Sequence, residues 1–136
     1  MNQKHSVGPH EVEFEHDTGF IVMRQSGELT AEHAKQITAH FVGLGLDDKP
    51  TFLLIDNRNA TGMTPEARKA FGESKVSRAG QKSYLGIFGG TFAFRVMANL
   101  VMTAMKLAGQ DFVGTMAADE AAARAWLTKQ KAEHGS

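Results

Sequence analysis

Asp56, Arg58, Asn59, Thr61 and Thr64 crowd together directly after the apolar run Phe52-Leu53-Leu54-Ile55. If that run is a strand, these side chains gather at its carboxyl end, where open α/β sheets bind ligands and partners. Arg58 supplies a forked donor suited to a carboxylate or phosphate. The same residues also have a purely structural use, because Asp and Asn side chains satisfy loop amides. Both readings stand at this level. Asp56 and Glu66 are two carboxylates, but their spacing does not set them at a working distance for acid–base chemistry.

Gly89-Gly90-Thr91 is a second place where backbone chemistry is available. Ahead of a helix, its N–H groups could hold an anion. It lacks the Lys and the spacing of a phosphate-cradling loop. A tight strand-to-helix turn with positive φ accounts for the glycines equally well.

Six histidines raise the question of metal. His5, His10 and His134 fall in expected tails. His33 and His40 are two turns apart on one helix, about 10 Å in rise, too far to share one ion alone. No His-x-x-x-His or His-Glu-x-x-His spacing occurs. No nucleophile elbow, dinucleotide fingerprint or kinase set occurs either. Ser74, Ser77 and Ser83 have no spaced base. The expectation is therefore no catalytic residue, no cofactor and no metal. Arg68, Lys69, Lys75, Arg78 and Lys82 form a basic stretch without interleaved aromatics, which reads as solvated charge and not as a nucleic-acid surface.

The segment 91–108 is the least ordinary. Ala93, Met97, Leu100, Ala104 and Leu107 form one apolar stripe, and Phe94, Ala98, Val101, Met105 and Ala108 form another. Phe92, Val96 and Met102 widen the coverage. A helix packed on one sheet needs one stripe. The surplus predicts a second contact: another subunit, an apolar ligand, a target helix, or the protein's own neighbouring helices. Met97, Leu100 and Ala104 make the more regular core face, which turns Phe94, Val101 and Met105 outward.

Elements must position these groups. Glu11-Val12-Glu13-Phe14-Glu15 alternates with period two and reads as an edge strand guarded by charge. Asp17-Thr18-Gly19 turns into Phe20–Met23, giving an antiparallel hairpin. Thr30 caps a helix that carries Ala34, Ile37, Phe41 and Leu44. The run 52–55 is apolar throughout, as in a strand covered by helices on both sides. Residues 57–63 read as its loop, and Thr64-Pro65-Glu66 starts a helix. Tyr84–Phe88 and Asp111–Met116 are further strands, and Asp119 caps a last helix bearing Ala123, Trp126 and Leu127. The order ββαβαβαβα predicts a mixed five-stranded sheet with four helices, an antiparallel hairpin at its start and right-handed crossovers after it.

Composition bounds the rest. A chain of 136 residues with 42% hydrophobic and 22% charged residues is one globular domain. The domain is placed at 11–130, between a flexible segment 1–10 and a tail 131–136. Lys+Arg and Asp+Glu are 15 each, so 15 − 15 = 0, which removes the global charge argument for nucleic acid. Zero cysteine excludes a disulfide scaffold, a thiolate nucleophile and an iron–sulfur cluster. No signal peptide or membrane span is read, and the expected location is cytoplasmic.

The element order, Leu54-Ile55-Asp56 before a Thr-Pro-Glu helix, and the ending Asp119-Glu120-Ala121-Ala122-Ala123-Arg124-Ala125-Trp126-Leu127 together resemble the STAS superfamily. That superfamily includes the bacterial anti-sigma-factor antagonists, and the ending is similar to a branch related to CRAL-TRIO lipid carriers. The likeness spans residues 11–130. It implies a non-enzymatic interaction or signalling module. Signalling members carry a phosphorylatable Ser beside an Asp at the start of the helix after the central strand. Here that place reads Met63-Thr64-Pro65-Glu66, so the switch is not expected and Thr64 is a cap. The module would dock a protein, or itself as a homodimer, through helix 91–108 and the loop 57–64. The alternative is a carrier of a lipid or small apolar ligand, held by Phe92, Phe94, Met97, Val101 and Met105.

Overall fold

Runs that are apolar on both sides must be covered on both sides, and the computed structural model meets that requirement with a two-faced sheet. The model describes residues 3–43, 50–73, 82–107, 109 and 111–134. Six strands, β1 (Gln3–Val7), β2 (His10–Phe14), β3 (Ile21–Leu29), β4 (Thr51–Met63), β5 (Ser83–Phe88) and β6 (Phe112–Ala117), lie side by side in chain order. The first two pairings are antiparallel and the last three parallel. Four helices follow the expected starts: α1 (Ala31–Gly43), α2 (Pro65–Glu73), α3 (Phe92–Leu107) and α4 (Glu120–His134).

Each helix begins on a side-chain cap. Thr30, Thr64 and Thr91 accept the N–H groups of His33, Ala67 and Phe94, and Asp119 accepts that of Ala122. Each cap satisfies a donor that the first turn leaves unpaired.

Right-handed crossovers between strands laid down in order put α1, α2 and α3 on one face. Ile21, Met23, Leu53, Leu85 and Ile87 pack there with Ile37, Ala67, Phe94 and Val101. The alternate residues Phe20, Val22, Phe52, Leu54, Tyr84 and Phe88 form the second core with Ala123 and Leu127 of α4. Gly86 lets α4 approach: a Cβ there would lie 3.1 Å from Leu127 Cγ and 3.2 Å from the Ala123 carbonyl oxygen.

Three expectations are corrected. The sheet has six strands, not five, because residues 3–7 of the presumed flexible segment pair with β2 from Gln3↔Phe14 to Val7↔His10. The strand around Glu11–Glu15 is therefore interior, and β1 takes the edge. The loop assigned to 57–63 is the second half of β4. Its backbone groups find partners on the equally extended β3, where Ser26↔Asn59, Gly27↔Ala60 and Leu29↔Met63 pair across two register shifts. Residues 131–134 are the last turn of α4, held by Lys131 Nζ donating to the Thr18 carbonyl and by His134 stacked on Tyr84. Leu44, the loop at 47–49, Ser74, Lys75, Ser77, Arg78 and Ala108 lie outside the described residues, as do the side chains of Phe41 and Phe71.

Leu127 is fully buried, whereas Trp126 is only partly buried beside the same cluster. Leu127→Ala should cost ~2–5 kcal/mol. Trp126→Ala should cost less, because less of its surface leaves water on folding. Urea denaturation of both variants checks the order.

Candidate functional site

Period two divides the middle of the sheet between two chemistries. Asp56 and Arg24 follow the parity of the α4 face, while Asn57 and Gln25 follow that of the α3 face.

On the α4 side a chain of ion pairs runs across β3, β4 and α4. Arg24 Nη1 donates to Asp56 Oδ2 at 2.7 Å and to Glu120 Oε1 at 3.2 Å. Arg58 donates from Nε and Nη2 to the two Asp56 oxygens at 3.1 and 2.9 Å. Its backbone N–H adds a third bond at 3.0 Å. Arg124 donates to Glu120 at 2.9 Å and clamps Glu15 with two bonds of 2.9 and 2.8 Å.

Three guanidinium groups thus meet three carboxylates. Burial opposes ionisation of Asp56, but the bonds from Arg58 and Arg24 outweigh it and hold the carboxyl below its ordinary value. Hydrogen bonds from Arg124 do the same for Glu15, and those from Arg24 and then Arg124 for Glu120. The fork of Arg58 thus donates to Asp56 from two of its nitrogens.

The other candidates on β4 separate. Asn59 and Thr61 are exposed along the strand, and Thr64 is the α2 cap. Gly89 and Gly90 have φ of 82° and 90°. A Cβ on Gly89 would sit 2.7 Å from the Arg58 backbone nitrogen, so close approach and backbone conformation account for the pair.

Gly90 lies just ahead of α3, and a Cβ there would meet Phe94 Cδ1 at 3.4 Å, an ordinary van der Waals contact. Phe94, Ala98, Val101 and Met105 are buried. Phe92 is 82% exposed, Leu107 84%, Leu100 55% and Val96 44%. The expected orientation is reversed. Two stripes of equal apolarity give periodicity no means to choose.

Under α3 lies a cavity of about 80 Å³, with an almost wholly apolar wall. Phe94, Val101 and Met105 line it. Phe92 faces solvent, and Met97 packs against the core. Two wall residues escaped sequence reasoning: Gln25 and Asn57, which are 5% and 2% exposed. Neither Gln25 Oε1 nor Asn57 Oδ1 has a hydrogen-bond partner. Their parity with Met23 and Ile55 was the available signal. Among the described residues no cluster of three metal-ligating side chains occurs. No described helix is long and apolar enough to cross a membrane.

No protein-family model matches the chain, and no curated protein matches it. A solved structure does: an uncharacterised DUF3478-family protein from Shewanella loihica PV-4, described as having a SpoIIAA-like fold. The TM-score is 0.56 at 17% identity, over 93% of each chain. The fold is SpoIIAA-like. This is the fold of STAS and anti-sigma-factor-antagonist domains, in agreement with the resemblance carried by the sequence.

In this SpoIIAA-like fold β1 and the start of β2 set two histidines against two on α1, in separate pairs. His5 stacks on His40 with centroids 4.5 Å apart, and His10 meets His33 edge to face at 4.9 Å. His10 is fully buried, not in a tail, and its Nδ1 accepts the Ser26 N–H at 3.1 Å. Burial, then the neighbouring His33, pushes its pKa down, against a smaller opposing effect of the Glu28 backbone. Burial, then His5, lowers that of His40.

A base with a depressed folded pKa contributes stability that is present above its unfolded value and lost as pH falls toward the folded one. Stability to urea should therefore decline as pH drops below ~6.5, above the range where carboxylates titrate. His10→Asn keeps an acceptor for Ser26 without the titration. It should flatten that decline, as urea midpoints collected between pH 7.5 and 5 would record.

Proposed function

We propose that this SpoIIAA-like domain is a cytoplasmic, non-enzymatic interaction module that docks a protein partner, a second copy of itself included, through the outward face of α3. The observation that carries the reading is the row Phe92, Val96, Leu100 and Leu107, four large apolar side chains turned to solvent along one helix. A helix face of that kind is a groove-filling or helix-pairing surface. Helix α3 contains Arg95 and Lys106 and no acid, so the rim suits an acidic partner surface. The full pairing of the Arg24–Asp56–Arg58 group supports a structural role there. The capping role of Thr64 supports a module that works without the phosphoserine switch of its STAS relatives.

The cavity supports a second reading, the binding of a small apolar ligand beneath α3. A dry engineered cavity of ~150 Å³ admits benzene, and this one is about half that size. The ligand is therefore small, and a long-chain lipid would need α3 to move.

Self-docking has a direct test, since twofold dimers are the commonest assemblies. Wild type should scatter light at twice the chain mass. Leu100→Asp with Leu107→Asp should scatter at the chain mass with unchanged circular dichroism, because the pair would bury unpaired charge only in a dimer. A wild type that is monomeric at high micromolar concentration removes the self-docking form. A double variant that unfolds places the row in the core and overturns the docking reading altogether.

A further inference from the structure

We propose that residues 3–10 form an acid-released strap: protons taken up by the facing histidine pairs His10–His33 and His5–His40 lift β1 and its turn off α1 while the rest of the sheet stays closed. The device is separate from the α3 docking face and stands whether or not that face binds a partner.

Histidines hold the strap at both ends. Strand β1 is the edge of the sheet and pairs with β2 alone. The register shows which way it faces, because directly opposed residues of an antiparallel pair share a face. His5 pairs with Val12 and Val7 with His10, and both valines belong to the core that α1 covers. His40 and His33 of α1 meet His5 and His10 there, at 4.5 and 4.9 Å between ring centroids. His33, the buried Ile37 and His40 follow one another at helical spacing, so they lie on one side of α1. The turn rests on the same ring: a Cβ on Gly8 would lie 2.5 Å from His33 Nε2.

These contacts need neutral rings. His10 Nδ1 accepts the Ser26 N–H at 3.1 Å, so the neutral ring carries its proton on Nε2. A protonated His10 gains an N–H at Nδ1 and faces Ser26 donor to donor. Charge on both rings of a pair adds like-charge repulsion at close range. The neighbouring charges lie elsewhere. Lys4, Glu11, Glu13 and Arg24 have the opposite parity, that of Val22 in the α4 core. Glu28 of β3 and Glu32 and Lys35 of α1 are exposed, and Glu32 accepts from Gln36. His16, just past β2, meets the Phe14 ring. The Glu28 backbone favours a charged His10, but burial and His33 outweigh it. Imidazoles are the groups that take up protons between pH 7 and 5, and paired ones act as acid switches.

The opening is local because support changes at Glu11. From Glu11↔Arg24 to Phe14↔Ile21, β2 has β3 as a second partner, whereas β1 has only β2 and α1. A strand pair stripped of its covering is marginal in water, so losing α1 frees β1 from β2 as well.

Amide hydrogen exchange on the full chain, resolved by NMR between pH 7.5 and 5 and corrected for intrinsic rates, reads this opening. Protection at Ser26 and in β1 should fall below pH ~6.5 with a slope approaching about tenfold per pH unit, the value for one proton taken up on opening. At pH 5 their exchange should barely respond to urea below the unfolding transition, as for an opening that exposes little surface. Amides of β5 and α4 should respond steeply. His10→Asn keeps an acceptor for Ser26 and should flatten the pH slope there. His40→Phe keeps a stacked ring and should flatten the slope in β1.

If the Ser26 and β1 amides share the urea response of β5 and α4, they exchange only through global unfolding and there is no strap. If their protection does not vary with pH, or varies as steeply in both variants as in wild type, the histidines are not the trigger. Should His10→Asn fail to fold, the wild-type urea response and the β1 slope of His40→Phe still decide.

Discussion

The parallel ladder between β3 and β4 is the constraint from which most of the molecule follows. Both strands are long, and both are apolar on two sides over the stretch where they begin to pair. A ladder of this kind must be covered twice, and the chain does so with α1–α3 on one face and α4 on the other. Because neighbouring residues point to opposite faces, the ladder also separates polar groups that are adjacent in sequence. Asp56 and Arg58 join an ion-pair chain under α4, while Asn57 between them enters the apolar wall under α3. The two register shifts lie just past this point, so the sheet is least regular where its buried polar groups concentrate.

Helix α3 divides labour across its own thickness. Its inward side closes a cavity with Phe94, Val101 and Met105, and its outward side presents Phe92, Leu100 and Leu107. Both stripes are apolar, so periodicity within the helix does not say which stripe does which. The two proposed roles of the domain therefore share one element. Occupancy of the cavity and docking on the outer row act on opposite sides of the same helix, which makes α3 the natural place for the two to be coupled.

Much of the architecture was legible because local signals were strong. Runs such as Phe52–Ile55 and Tyr84–Phe88 read as covered strands, and Thr30, Thr64 and Asp119 read as caps. The failures have physical causes. Residues 3–7 have no apolar period and become a strand only because β2 offers an edge. Residues 57–63 carry Asn, Gly and Thr, which favour turns, yet the long β3 gives their backbone better partners. The histidines looked solvated because residues 3–10 read as a tail, whereas β1 and the start of β2 carry His5 and His10 to α1. The inward face of α3 was misassigned because its two stripes are equally apolar. Within the candidate site, Asp56 and Arg58 were found by type, but Gln25 and Asn57 needed the parity of paired strands to be noticed.

Helix α4 contributes the only helical residues to the second core among those described, and it follows all six strands in the sequence. While the chain leaves the ribosome, the sheet can form and be covered on its first face well before its second face has any cover. Phe20, Val22, Phe52, Leu54, Tyr84 and Phe88 are then a broad greasy surface, waiting for Ala123 and Leu127. Any pause in translation shortly before Glu120 prolongs that state. A chain that has formed its strands but lacks α4 is at its most adhesive, and that is the stage at which a chaperone has the most to shield.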